Sequence, residues 1–215
     1  RNIIYRTAYL LYNKYRFEEA AEQFKLVIKM EPASREAEQA ANLILDSFAI
    51  NDDLPNLKKN AKFYYEQDGL GSSKFKKGVY EVYQKASFAL IEKKYKDSGD
   101  KADAADSYMA FYKEFVDTAE TKVLATALNN AAFYYKELKR VADSMKVRHI
   151  LVEDPKFGKN TKYYYNQISA LGYDYETIAN FDKAAYYYEK MFGLYPAEKK
   201  KLKASKEDSA KTSLE

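Results

Sequence analysis

His149 is the single histidine and there is no cysteine. The side chains most used as proton shuttles, nucleophiles and soft metal ligands are therefore scarce. His149 follows Arg148 on a helical stretch with no metal-ligating partner in sequence, which predicts a surface or hydrogen-bonded histidine. Asp97, Asp100, Asp103 and Asp106 recur every third residue and raise a metal hypothesis. They lack the D-x-D-x-D-G order of a calcium loop, and Asp100 reads more simply as a helix cap with acids in the first turn behind it. Gln67-Asp68-Gly69-Leu70-Gly71-Ser72-Ser73 is rich in glycine but fits no G-x-x-x-x-G-K-[ST] pattern, so it reads as a connection and not as a phosphate cradle. Tyr163-Tyr164-Tyr165 and Tyr186-Tyr187-Tyr188 have the rings to stack on bases or sugars. Consecutive helical residues point about 100° apart, so each run offers few rings to any one face and the others pack. No catalytic residue, metal ligand or cofactor is expected from these patterns. The chemistry left is recognition.

Composition sets the class of molecule that must position such residues. Of 215 residues, 47% are hydrophobic, only seven are Gly and four are Pro, which suits a helix-rich folded chain. The 22 Tyr and 12 Phe, with no Trp, supply rings with an apolar body and, for Tyr, a polar tip. A net charge of +4 from 36 basic and 32 acidic residues makes no electrostatic case for nucleic acid. No apolar run approaches the roughly 18 residues of a membrane span. The start at Arg1 without Met, and the Leu214-Glu215 end, read as the limits of an excised fragment with a cloning scar.

Helical periodicity recurs along the chain as pairs. Ile4, Ala8 and Leu11, then Phe17, Ala20, Phe24 and Val27, form the first pair, closed by Pro32. Ala37 to Phe48 and Leu57 to Tyr64 form a second, broken at Asn51-Asp52-Asp53, with Pro55 suited to a first helical turn. A long pattern over Phe75–Lys96 precedes Lys101–Phe115, and Thr121–Leu138 precedes Val141–Glu153. In this fourth pair Arg148 stands where an aromatic is usual, which weakens it. The last pair starts near Thr161 and holds Leu171-Gly172, Tyr175, Phe181, Ala184 and Tyr188, with Asn180 as N-cap and Pro196 expected to stop the second helix. The units span about residues 1–34, 35–68, 74–116, 121–155 and 161–196. Residues 197–215 read as a solvated, fraying charged tail around Lys199-Lys200-Lys201-Leu202-Lys203.

Those positions resemble the tetratricopeptide repeat family, specifically in the first and last units and by helix-pair rhythm between them. The long Tyr-rich helices are similar in style to long repeat arrays of bacterial cell-envelope and gliding-motility proteins, which implies the periplasm or envelope, with the cytoplasm as the alternative. The family resemblance implies an all-α, right-handed superhelical solenoid of about five antiparallel helix pairs. It also implies a concave groove lined by first helices that receives a partner's peptide or helix. Carried onto this sequence, the groove holds Asn2, Tyr5, Tyr9, Tyr12 and Asn13 in the first unit and Gln39, Asn42 and Asp46 in the second. The fourth unit offers Asn129, Phe133 and Lys136, and the last Asn166, Ser169 and Tyr173. Tyr5, Tyr9 and Tyr12 have a second reading, as packing for a further repeat ahead of them. The function implied is a non-catalytic scaffold or adaptor for another protein. The alternatives are an architectural spacer, or a solenoid that binds glycan or RNA.

Overall fold

A computed structural model describes residues 2–158 and 162–212. Among the described residues the regular structure is helical: α1 Asn2–Asn13, α2 Phe17–Met30, α3 Arg35–Ile50, α4 Leu54–Glu66, α5 Ser73–Ser98, α6 Lys101–Phe115, α7 Thr121–Glu137, α8 Val141–Glu153, α9 Tyr164–Thr177 and α10 Phe181–Thr212. The chain divides into two compact units, residues 1–97 and 98–215. The fold is all-α and built from helix hairpins.

One backbone turn recurs in four of the hairpins. Tyr15, Asp52, Lys139 and Ala179 adopt left-handed φ values of 59°, 52°, 59° and 58°, each just before the next helix. The following amide then reaches back five residues: Arg16 to the Leu11 carbonyl, Asp53 to Phe48, Arg140 to Tyr135 and Asn180 to Tyr175, at 2.9–3.0 Å. This closes the carbonyls that a helix end leaves open and reverses the chain. The starts of α3, α4, α6 and α10 are capped by side chains of the expected type. Ser34 Oγ accepts from the Ala37 amide, Asp53 from Asn56, Asp100 from Ala102 and Asp103, and Asn180 from Lys183.

Packing follows the apolar stripes. In the first unit Ala8, Ala20, Phe24, Val27, Ala37, Ala40 and Ile44 are fully or almost fully buried, with α2 against both α1 and α3. In the second, Leu124, Leu128, Leu151, Phe157, Ile168 and Leu171 do the same among α7, α8 and α9. Within each unit, side chains 34 residues apart are bonded: Tyr5 to Gln39, Tyr12 to Asp46, Arg140 to Asp106 and Tyr187 to Glu153. That separation is the length of one tetratricopeptide unit.

The Gln67–Ser73 loop is a structural connection. Leu70 is fully buried, the Gly71 amide donates to the Pro32 carbonyl, and the Ser72 amide donates to Glu38. Lys76 Nζ donates to the carbonyls of Tyr64, Tyr65 and Gln67, tying the end of α4 to the start of α5.

One expectation is corrected. Pro196 does not end its helix: it lies inside α10, which continues to Thr212, so residues 197–212 are helical. A proline lacks one amide and crowds one preceding carbonyl, which costs a helix energy without necessarily stopping it. The expected start of the last pair near Thr161 falls outside the described residues, as does the Leu214-Glu215 end, and α9 begins at Tyr164.

Candidate partner-binding faces

Each unit brings some of the predicted groove residues together. In the first, α1 lies beside α3. Tyr5 donates to Gln39 Oε1 at 3.1 Å, and Tyr12 donates to Asp46 Oδ2. Tyr5 is also tilted against buried Phe24 at 5.8 Å and stacked on Tyr9 at 6.4 Å. Tyr9 stays 45% exposed, and Asn2, Asn13 and Asn42 are exposed. Burial, with the neighbouring Tyr9 and Glu36, raises the Tyr5 hydroxyl's pKa. Burial and the Asp46 carboxylate push that of Tyr12 up to about 12. Tyr5 and Tyr12 are therefore tied to α3 within the same unit, and Tyr9 is the predicted groove ring left open.

In the second unit, α7 and α9 meet through side chains. Gln167 Nε2 donates to Asn129 Oδ1 at 2.8 Å, and Lys136 Nζ sits 4.7 Å above the Tyr173 ring and 3.9 Å from Asp174. Phe133 and Tyr173 are 54% and 55% exposed. Asn166 is exposed and Ser169 half-buried. The result is two exposed rings, one on each helix, with the Lys136 ammonium over that of Tyr173.

Beneath that face lies a polar cluster that sequence reasoning missed. Arg148 is 6% exposed and Asp174 2%. Arg148 Nε donates to Ser144 Oγ at 3.1 Å and Nη1 to Gln167 Oε1 at 2.6 Å. Asp174 Oδ2 is also 3.1 Å from Nε, but the N–H points to Ser144, so this contact is an ion pair without an aligned hydrogen bond. Ser144 Oγ in turn donates to the Ala132 carbonyl at 2.9 Å. Burial raises the Asp174 pKa against the opposing pull of Arg148 and Lys136, and burial lowers that of Arg148. A usable signal existed: Gln167, Leu171 and Asp174 share one helical stripe, and polar residues on a core stripe opposite a misplaced arginine predict a buried pair.

His149 is hydrogen-bonded on both sides. Nδ1 is 2.8 Å from Glu153 Oε1 and Nε2 2.9 Å from the Tyr175 hydroxyl. Tyr187 donates to the same Glu153 oxygen and stacks on Tyr175 at 5.6 Å. Burial pushes Glu153 up, but hydrogen bonds from Tyr187 and His149 outweigh it and hold the carboxyl below its usual value. Asp100 caps α6, and Asp106 accepts from Tyr135 at 2.7 Å. These acids have structural partners.

Solved structures similar to the chain are repeat proteins. One holds the nearly identical TPR-like repeats of a kinesin light chain from Podosopora anserina, at 8% identity and a TM-score of 0.42, covering 92% of this chain and 95% of that one. Another is BtubC (BKLC) from P. vanneervenii, at 14% identity and a TM-score of 0.34, covering 83% and 70%. No protein-family model and no curated protein matches the sequence.

Proposed function

We propose that the chain is a non-catalytic protein-interaction scaffold that takes a peptide or helix of a partner on its first-helix faces, α1/α3 and α7/α9. The observation that carries this reading is the α7/α9 face. Phe133 and Tyr173 remain more than half exposed, while Gln167 of α9 is bonded to Asn129 of α7 and to Arg148 of α8. Exposed rings beside side chains already held by hydrogen bonds and an ion pair give contact area at low ordering cost. Lys136 beside Tyr173 adds a donor for a partner's carbonyl or carboxylate. On α1/α3, Tyr9 is the corresponding ring, and Asn42 is an exposed amide able to pair with an extended backbone.

The test is a tagged capture from the source organism with the wild-type chain, Tyr9→Ala/Asn42→Ala, and Phe133→Ala/Tyr173→Ala, followed by titration of the captured protein. Because all four side chains are exposed, helicity should be unchanged. Loss of about 2 kcal/mol or more of binding in either variant supports the reading, since buried aromatic anchors carry interface energy of that size. Equal affinity in all three chains excludes both faces, and no specific capture favours the architectural spacer.

A further inference from the structure

A cleft of about 540 Å³ opens in the first unit among α2, α3 and α4. No α1 residue lines it, so it is separate from the α1/α3 face. Its floor is apolar: Ala21 of α2 meets Ile44 and Phe48 of α3, with Ile44 only 1% exposed. Its rim is acidic. Glu18 and Glu22 stand one helical turn apart on α2, Glu19 lies beside them, and Asp53 faces them from the turn between α3 and α4. Against these four carboxylates the lining holds one cation, Lys25, which leaves three negative charges in a chain whose net charge is +4. The acidity is local and is not a reflection of composition.

The rim's internal pairs are weak ones. Lys25 reaches Glu22 at 2.7 Å, and Arg16 is bidentate on Glu19, but every one of these side chains is more than half exposed. Such pairs are screened by water and exchange readily for an incoming ammonium or guanidinium. Glu18 has no salt bridge among the described residues. Asp53 is fixed in place by the Asn56 amide and side chain at the start of α4.

We propose that this cleft is a second docking site, for a basic segment of a partner protein. One apolar side chain seats on Ala21, Ile44 and Phe48, and flanking Lys or Arg side chains meet Glu18, Glu22 and Asp53. The charge selects the occupant: a carboxylate rim repels nucleic acid and anionic lipid and concentrates cations. The size fits too, since about 540 Å³ lies within the range of ligand-binding clefts.

The experiment uses the whole chain and a fluorescein-labelled synthetic peptide of alternating Lys and Leu, read by anisotropy. Two control peptides replace Lys by Glu, or Leu by Gly. The proteins are the wild type, Glu18→Gln/Glu22→Gln, and Tyr9→Ala/Asn42→Ala, each checked by circular dichroism. Both glutamates are exposed, so the Gln pair should fold normally. The expected result is binding of the Lys/Leu peptide that weakens with salt and is roughly fivefold weaker in the Gln pair, the size expected for two screened charge contacts. Both control peptides should bind more weakly, and the Tyr9→Ala/Asn42→Ala chain should bind like wild type. Equal binding by the Gln pair, equal binding of the Glu peptide, or no binding at millimolar peptide would each overturn the proposal. Loss confined to Tyr9→Ala/Asn42→Ala would move the peptide to the α1/α3 face and overturn it as well.

Discussion

Arg148 is the side chain whose removal should damage the second unit most. It is the counter-ion of Asp174 and a donor to Ser144 and Gln167, all of them buried. Arg148→Met fills similar space but leaves a buried carboxylate without its partner. Breaking a buried pair from one side costs about 3–5 kcal/mol, whereas replacing both members by apolar residues is often neutral. Urea unfolding should therefore show a loss of that order in Arg148→Met and recovery of most of it in Arg148→Met/Asp174→Leu. An unchanged midpoint in the single variant would mean that Lys136 or water satisfies Asp174. The pH dependence has a definite sign. Burial already raises the folded-state pKa of Asp174 above 3.8, and losing Arg148 raises it further. Protonation removes the buried charge, so the deficit of the single variant should shrink as pH falls through that raised value. Little of this cluster was legible in the sequence, because its bonded partners lie up to 38 residues apart and match no motif. Arg148 was noticed only as a departure from the repeat pattern. The capping roles of Asp100 and Asn180 were legible, because a cap is decided within three residues of chain.

At the scale of helices, close approach is decided by single small residues. A Cβ on Gly172 of α9 would lie 2.6 Å from Tyr188 Cε1 of α10, and that ring is held by the 2.7 Å bond from its hydroxyl to Glu176. Around Gly193, on the same α10, a Cβ meets nothing within 4 Å. The two Gly→Ala variants should thus move in opposite directions. Gly193→Ala should stabilise by roughly 0.5–1 kcal/mol through reduced chain entropy in the unfolded state. Gly172→Ala should destabilise by about 1–3 kcal/mol, because overpacking outweighs the better helix propensity. Thermal melts of the pair check this, and stabilisation by both would show that α9 and α10 can separate without loss. The helix pairs were legible because apolar spacing and turn residues are local signals, and Gly172 was legible for the same reason. The continuation of α10 past Pro196 was not. Proline is a strong local penalty, but it removes a single hydrogen bond, and only the whole helix decides whether that loss ends it.

For the whole molecule, the division at Asp97 and Ser98 was also hidden from the sequence, which reads as one run of pairs from 1 to 196. Unit boundaries depend on which long-range contacts form, and α5 carries a continuous helical pattern up to the boundary. A property spread over both units is the state of the tyrosines. Burial raises the pKa values of Tyr5, Tyr64, Tyr112, Tyr135 and Tyr187, and that of Tyr12 together with Asp46. Tyr188 is raised first by its bond to Glu176. Tyr12, Tyr64 and Tyr188 reach about 12, against 10.0 for a free tyrosine. A pKa raised by folding means that the unfolded chain loses its proton first. The stability these groups contribute is complete below pH 10 and is lost as pH rises through 12. With no Trp to obscure it, tyrosinate absorbance should show a late rise that coincides with the collapse of helicity, as the hydroxyls raised by folding lose their protons. Tyr64 separates this account from general alkaline damage, because it is 3% exposed and its shift arises from burial alone. Tyr64→Phe keeps the ring and deletes the ionisation, so it should move the alkaline unfolding midpoint upward while leaving neutral stability within about 1 kcal/mol, the worth of a typical hydroxyl hydrogen bond. If the tyrosinate rise is instead complete with helicity intact, the raised hydroxyls of Tyr12, Tyr64 and Tyr188 reach water without unfolding, and their burial does not set the alkaline limit.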